Sequence, residues 1–351
     1  MIKLSDRQQK IIGILLEKGG GQSSDLYKKL LETGQKISLV TVKRALAEMF
    51  KNGFLKATGS GRATEYAVSA LGRMFADIDA KKYCALDPDK RYGLNYFNFE
   101  LLPAVPPEIF TTGESTELNF ATTEYQKRTL NLPMAIAKKE LERLIIEFSW
   151  KSSKIEGNTY TLLDTEKLIL ENKEAVGHDH KEARMILNHK DAFNFIHENP
   201  EFFKVINQTN LEKLHAILVK DLSIGLSFRQ KPVGVLGSKY RPLDNIYQIK
   251  ETIGQLSASV TRMNTPHAKA LLALLGISYI QPFEDGNKRT SRLMANALLM
   301  SYGLAPLSYR SVEEKDYREA MLVFYEINSF LPFKQIFVSQ YNFAAKNYVV
   351  N

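Results

Sequence analysis

Two arginines three residues apart, Arg289 and Arg292, share one helix face and follow the turn Asp285-Gly286-Asn287. Gln281, Pro282 and Phe283 stand just upstream, and Lys288 sits inside the turn's exit. At a helix N-terminus the backbone N–H groups are unpaired and the dipole is positive. Cations beside such an end make an anion receptor, and phosphate is its usual occupant. Asp285 adds a hard oxygen ligand, suited to the magnesium ion that accompanies a polyphosphate. The chemistry within reach is therefore nucleotide phosphate binding. Two flanking segments must hold these groups: residues 268–280 and 293–304 are apolar runs that read as buried helices. Pro282 and the Asp-Gly-Asn turn break the first, and Asn287 is placed to cap the second.

The order Gln281-Pro282-Phe283-Glu284-Asp285-Gly286-Asn287-Lys288-Arg289-Thr290-Ser291-Arg292 resembles the signature loop of the Fic (Fido) family, His-Pro-Phe-x-Asp/Glu-Gly-Asn-Gly-Arg-x-x-Arg. The resemblance implies an all-α core that holds ATP and magnesium and passes AMP to a hydroxyl side chain of another protein. It assigns Phe283, Gly286, Asn287, Lys288, Arg289 and Arg292 to the nucleotide and Asp285 to magnesium. Asp285, Asn287, Arg289 and the residue at position 281 would serve the transfer. Two positions depart from the pattern: Gln281 replaces the catalytic histidine, and Lys288 replaces the second glycine. An amide takes no proton near neutral pH, and losing a positioned base costs about 10²–10⁴ in rate. A lysine also fills space where glycine lets backbone approach a phosphate. Lys288 resembles the Doc branch, which transfers the γ-phosphate but keeps the histidine. The expectation is ATP binding with impaired transfer. The alternatives are Doc-like protein kinase chemistry through Lys288, or a non-catalytic domain that senses a nucleotide or a partner.

Residues 137–150 place Leu141, Leu144, Ile145 and Phe148 on one helical face and lead into Ser152-Ser153-Lys154-Ile155-Glu156-Gly157-Asn158. A glutamate in a last helical turn opposes the dipole unless a cation faces it, and Gly157 fits a C-cap. This stretch resembles the Ser/Thr-x-x-x-Glu-Gly/Asn inhibitory motif of the Fic subclass whose inhibitor precedes its core. Ser152, Glu156 and Gly157 would form it, with Glu156 paired to Arg292 in the place of the γ-phosphate. Residues 232–240 alternate around Gly237-Ser238 and read as a small β-hairpin. They resemble the Fic flap, in which Val233, Val235 and Gly237 would pair with an extended target segment; an ordinary surface hairpin is the alternative. His178 and His180, with His189, lack the carboxylate geometry of a metal site. His267 lies roughly 20 Å from Gln281 along its helix and cannot replace the base.

Upstream, Ser5 and Gln8 form a capping box for a first helix with Ile11, Ile12, Leu15 and Leu16 as its stripe, ended by three glycines. Helices follow near 24–32 and 38–51, then a β-hairpin over 54–68. Residues 1–70 resemble a winged helix-turn-helix. Thr41, Lys43 and Arg44 would lie on the recognition helix, and Lys56 and Arg62 on the wing, suited to DNA. Winged helices also serve as protein-docking or dimerisation units, and that reading stays open. This segment holds twelve Lys/Arg and six Asp/Glu, so +6 of the formal +8 resides there. Residues 71–116 read as a connector, with 71–80 a helix, 92–102 a strand or packing arm, and Pro103, Pro106 and Pro107 at its end. A Fic domain over 117–346 completes a mainly α chain with an α+β N-terminal domain. Further helices are expected at 164–171, 181–197, 210–220, 312–330 and 334–347. One cysteine, Cys84, fits a reducing cytoplasm. The opening residues lack an apolar signal core and no run spans a bilayer, so neither export nor a membrane partner is expected. The partners foreseen are ATP, an unidentified target protein and DNA, with a homodimer allowed.

Overall fold

A computed structural model describes residues 4–350; the side chain of Arg62 lies outside what is described. The chain is mainly helical and divides into two units. One comprises residues up to 105 with 234–241 and 319–334, and the other comprises 106–233, 242–318 and the residues from 335 onward.

In the first unit, Ser5 and Gln8 cap α1 (Asp6–Lys18) reciprocally and Gly19 ends it in the left-handed region. α2 (Ser23–Glu32) and α3 (Leu39–Lys51) follow, the latter capped by Ser38. Ile11, Ile12, Leu15, Leu26, Leu30, Val42, Leu46 and Met49 are buried between them. A three-stranded antiparallel sheet has the order β1 (Gly21–Gln22), β3 (Glu65–Val68), β2 (Leu55–Thr58). Leu55 faces Val68 and Thr58 faces Glu65. The glycine run expected only to end α1 thus also supplies an edge strand.

The segment read as a connector is packed structure. The helix expected over 71–80 is split into α4 (Ala70–Met74) and α5 (Ala80–Cys84). The reason lies in its carbonyls: those of Met74, Phe75 and Ala76 accept from Phe330 N–H, Gln9 Nε2 and Ser329 Oγ, not from amides one turn on. After α6 (Leu101–Ala104) the unit continues only through its two later segments. Residues 92–102 form an arm whose one bridge is Tyr96 beside Arg241. The hairpin expected at 232–240 is absent: these residues make a turn without paired strands. Their polar groups are engaged elsewhere. Gly237 O accepts from Arg91, Arg241 N–H donates to Asn95 O, and Ser238 Oγ donates to buried Glu326.

The second unit begins with α7 (Thr112–Thr129), α8 (Met134–Ile155) and α9 (Leu162–Glu171), followed by α10 (His180–Glu198) and α11 (Gln208–Leu218). α12 (Ile246–Arg262), α13 (Pro266–Ile280) and α14 (Asn287–Ser301) come next. The first turn of α15 (Glu314–Ile327) and most of α16 (Leu331–Asn347) complete it. From His267 to Ile280 nearly every side chain of α13 is buried, and α14 is buried almost as fully. Such all-round burial marks a central helix pair. Among the described residues no helix is long and apolar enough to cross a membrane.

Candidate functional site

The bend between α13 and α14 carries the predicted loop. Gln281 ends α13 with φ 52° and ψ 60°, a left-handed C-cap, and its N–H donates to Ile277 O. Its side-chain Nε2 donates to Ser278 O at 2.6 Å, so the amide points back into its own helix end. Gly286, not Asn287, is the N-cap of α14, with φ 76° and no side-chain cap. Asn287 serves the loop in another way. Its Oδ1 accepts from Phe283 N–H and its Nδ2 donates to Phe283 O, both at 2.8 Å. That clasp takes the side chain expected to meet phosphate or cap the helix, and leaves the first-turn amides of α14 without a side-chain acceptor.

Two residues whose part the sequence did not disclose hold the loop from behind. Arg229 is buried and donates to Gln281 O (2.6 Å), Lys231 O (2.8 Å) and Leu243 O, while its own N–H donates to Pro282 O (2.9 Å). The His215 ring stacks on Phe283 at 3.6 Å between centroids and 9° between planes. Its Nδ1 lies 3.3 Å from Thr290 Oγ1 and its Nε2 3.2 Å from Gly225 O. A carbonyl can only accept, so Nε2 carries the proton and Nδ1 is the acceptor. Burial pushes this imidazole down to about 4. Their signal was faint: His215 inside a helical pattern reads as core, and Arg229 stands in the stretch between α11 and α12 with no pattern to mark it.

The charged groups gather at the first two turns of α14. Arg292 is wholly buried and donates through Nη2 to Glu156 Oε1 (2.9 Å) and Ser152 O (2.8 Å) and through Nε to Ser152 Oγ (2.9 Å). Its Nη1 reaches Tyr317 OH at 3.4 Å. Lys288 Nζ adds a second cation 3.4 Å from Glu156 Oε2. Burial pushes the Glu156 carboxyl up, but Arg292 and then Lys288 outweigh it and hold it below the usual carboxylate range. Burial likewise opposes the charge on Arg292, and Tyr317 and Glu156 hold it above its ordinary value. Glu156 is the C-cap of α8; Gly157 (φ 101°) donates to Lys154 O and Asn158 to Ser153 O, a Schellman stop. The expected Glu156–Arg292 pair is thus formed, and Ser152 joins it.

Arg289 differs from its neighbours. It is 2% exposed, and its Nη1 has no hydrogen-bond partner among the described residues. The nearest carboxylate oxygen is Asp285 Oδ2, 3.8 Å from Nη2, on a side chain 70% exposed. Burial pulls the guanidinium below its ordinary value, against the opposing charges of Asp285 and Glu156. Elsewhere, Val235 is buried and Val233 half-buried in the turn expected as a flap. In the first unit Lys43 and Arg44 are exposed on α3, Thr41 Oγ1 lies 2.9 Å from Ser38 Oγ, and Lys56 is paired with Glu100 at 2.5 Å. Among the described residues no group of three or more His, Cys, Asp or Glu is arranged to hold a metal. His178 instead lies beside Thr159 and Glu182, and His180 beside Glu174.

A protein adenylyltransferase Fic from Nematostella vectensis is 29% identical over 206 residues, 54% of this chain and 44% of that protein. One from Drosophila virilis is 30% identical over 197 residues, 50% of this chain and 36% of that protein. The chain therefore spans less than half the length of these curated relatives. Among solved structures, Fic-1 from C. elegans superposes with a TM-score of 0.58 at 17% identity, covering 67% of this chain and 72% of that one. A Fic domain containing signaling protein from Bacteroides thetaiotaomicron gives 0.54 at 20% identity, covering 66% and 95%. These likenesses establish the helical fold. Residues 205–299, from just before α11 nearly to the end of α14, match the model of the Fic/DOC family.

Proposed function

We propose that the α13–α14 bend binds ATP with magnesium on an adenylyltransferase scaffold, that Glu156 restrains this site, and that Gln281 impairs transfer. The observation that carries the reading is Arg289: a buried guanidinium with an unpartnered Nη1, beside uncapped helix amides and Arg292. A buried donor left unmade is costly, and a phosphate oxygen would satisfy it. Glu156, an internal carboxylate across Arg292 and Lys288, stands where an anionic ligand would bring its own charge. Asp285 is exposed at the rim, which suits a magnesium ion bound by one carboxylate and by the phosphates that arrive with it. Bound there, the ion would neutralise phosphate charge.

In the transfer, a protein hydroxyl oxygen would bond to the α-phosphorus, pyrophosphate would leave, and the hydroxyl proton would need an acceptor. Gln281 offers none near neutral pH. Neither do the nearby imidazoles: His215 has both nitrogens engaged, and burial, with Arg292 beside it, makes His189 too weak a base. Lys288 is occupied with Glu156, which gives the Doc-like alternative no base either.

The test is calorimetric titration with magnesium ATP, followed by transfer from ATP labelled at the α- or γ-phosphate. Glu156→Gly should bind ATP roughly ten- to hundredfold more tightly than wild type, since one charge-assisted contact is worth about 1.5–3 kcal/mol. Transfer of α-label should need Gln281→His in addition. Equal ATP binding by wild type and Glu156→Gly would reject the restraint. Transfer of α-label without the Gln281 change would reject the impairment.

A second reading applies to the N-terminal module: a DNA-binding regulator coupled to a sensing domain. Its support is the exposed pair Lys43 and Arg44 on α3, ahead of a small antiparallel sheet.

A further inference from the structure

α8 is gripped at several places, Lys151 on Glu314 among them, and the grip at Glu147 lies away from the cradle. Glu147 lies on α8 nine residues before Glu156; at 100° per residue it points from the opposite face. Its side chain is only 9% exposed, and a carboxylate so placed must be paired. Its Oε2 accepts from Tyr348 OH, its Oε1 accepts from Arg310 Nη1 at 3.1 Å, and Arg143 Nη1 stands 3.9 Å away. Tyr348 follows the end of α16 with its ring fully buried beneath the Arg143 guanidinium, 4.7 Å from the centroid. The same tail is fastened through its backbone: Arg143 donates to Asn347 O and Tyr125 OH donates to Val350 O. On the cradle side Arg292 holds Ser152 and Glu156, and Arg318 holds Ile155 O through Nε at 2.9 Å.

Contacts on opposite faces of one rigid helix fix its rotation as well as its position. Loosening the Glu147 side would let α8 turn or slide. A helix end tolerates little of either before a 2.9 Å charge-assisted hydrogen bond is lost. We propose that Glu147, held by Tyr348 and Arg310, is a positioning residue for the restraint: it keeps α8 at the rotation where Glu156 meets Arg292. The segment 347–350 is then a latch on the closed cradle, and whatever displaces Tyr348 opens the site. The proposal rests on the reading that Glu156 restrains ATP binding.

A double-mutant cycle on the full chain separates the two ideas, with magnesium ATP as the probe in calorimetry. Tyr348→Phe removes one hydroxyl and keeps the ring, so the fold survives; Arg310→Gln removes the second donor independently. With Glu156 present, each variant should tighten ATP binding by roughly three- to tenfold, the worth of about one hydrogen bond. In the Glu156→Gly background neither should change it, because there is no carboxylate left to position. A merely structural contact would lower the melting temperature and leave ATP affinity unchanged. If Glu156→Gly tightens binding and the latch variants do not, the latch is wrong while the restraint stands. Equal tightening in both backgrounds would also overturn the latch, since the effect would then bypass Glu156. Should Glu156→Gly itself fail to tighten binding, the restraint and the latch fall together.

Discussion

His215 sits where a replacement base would be sought, yet its environment makes it the reverse of one. Stacked on Phe283, donating from Nε2 to Gly225 O and facing Thr290 with Nδ1, it is held neutral, with burial pushing it down to about 4. The sign of the stability effect follows. The unfolded imidazole titrates near its ordinary 6.5, so between there and 4 the unfolded chain binds more protons than the folded one. The loop's support is therefore complete above 6.5 and is lost as pH falls toward 4, by roughly 3 kcal/mol at most. Urea unfolding of wild type and His215→Gln from about pH 7 to about pH 4.5 should show a steeper acid loss for wild type. Parallel slopes would show that His215 is not held neutral in the fold. The residue also explains a silence in the sequence: a lone histidine on an apolar helix face is ordinarily a satisfied core group, and so it is here, with the loop as its partner.

The bend between α13 and α14 rests on one backbone choice. Gly286 takes φ 76°, and a Cβ there would meet His215 Cε1 at 3.2 Å and Val219 at 3.4 Å. Gly286→Ala therefore combines left-handed strain with a crowded ring, a cost of about 1–3 kcal/mol. Thermal unfolding should show a melting temperature several degrees lower, with ATP affinity falling in parallel; an unchanged melting temperature would refute the strain. At this scale much was legible. Pro282, the Asp-Gly-Asn turn and the apolar runs on either side foretold a helix–bend–helix, and Ser5, Ser38 and Gly157 foretold helix ends that formed as read. The elements that went astray depend on distant partners. The helix expected over 71–80 broke because residues near 329 and at 9 take its carbonyls. The hairpin expected at 232–240 did not pair because Arg91, Asn95 and Glu326 engage it first. Asn287 lost its expected capping place because Phe283 offers both a donor and an acceptor within reach. Local periodicity carries none of this information: the groups that compete for 71–80 and 232–240 are remote in sequence, and the Asn287–Phe283 clasp, though local, follows no helical or strand period.

Over the whole chain, charge is the property that outlasts such rearrangements: +8 in all, with +6 in residues 1–70. A salt series would tell the proposed DNA binding of this segment from protein docking, because counterion release gives DNA binding a salt dependence that counts phosphate contacts. The individual cations are not equivalent. Lys43 and Arg44 are exposed on α3, whereas Lys56 is engaged with Glu100 at 2.5 Å, each side chain being more than half exposed. An ion pair that exposed is worth under about 1 kcal/mol, so a phosphate can compete for the lysine but must first displace the carboxylate. Two opposite outcomes follow for binding of the full chain to duplex DNA across a salt series. Arg44→Ala should weaken binding and reduce the slope of log affinity against log salt by about one. Glu100→Gln should strengthen binding at low salt and steepen the same slope, since it releases Lys56 to the backbone. A docking module that uses this face for protein would show neither change. A loss on Arg44→Ala without any gain on Glu100→Gln would place the DNA on α3 alone, clear of the β2 strand that carries Lys56.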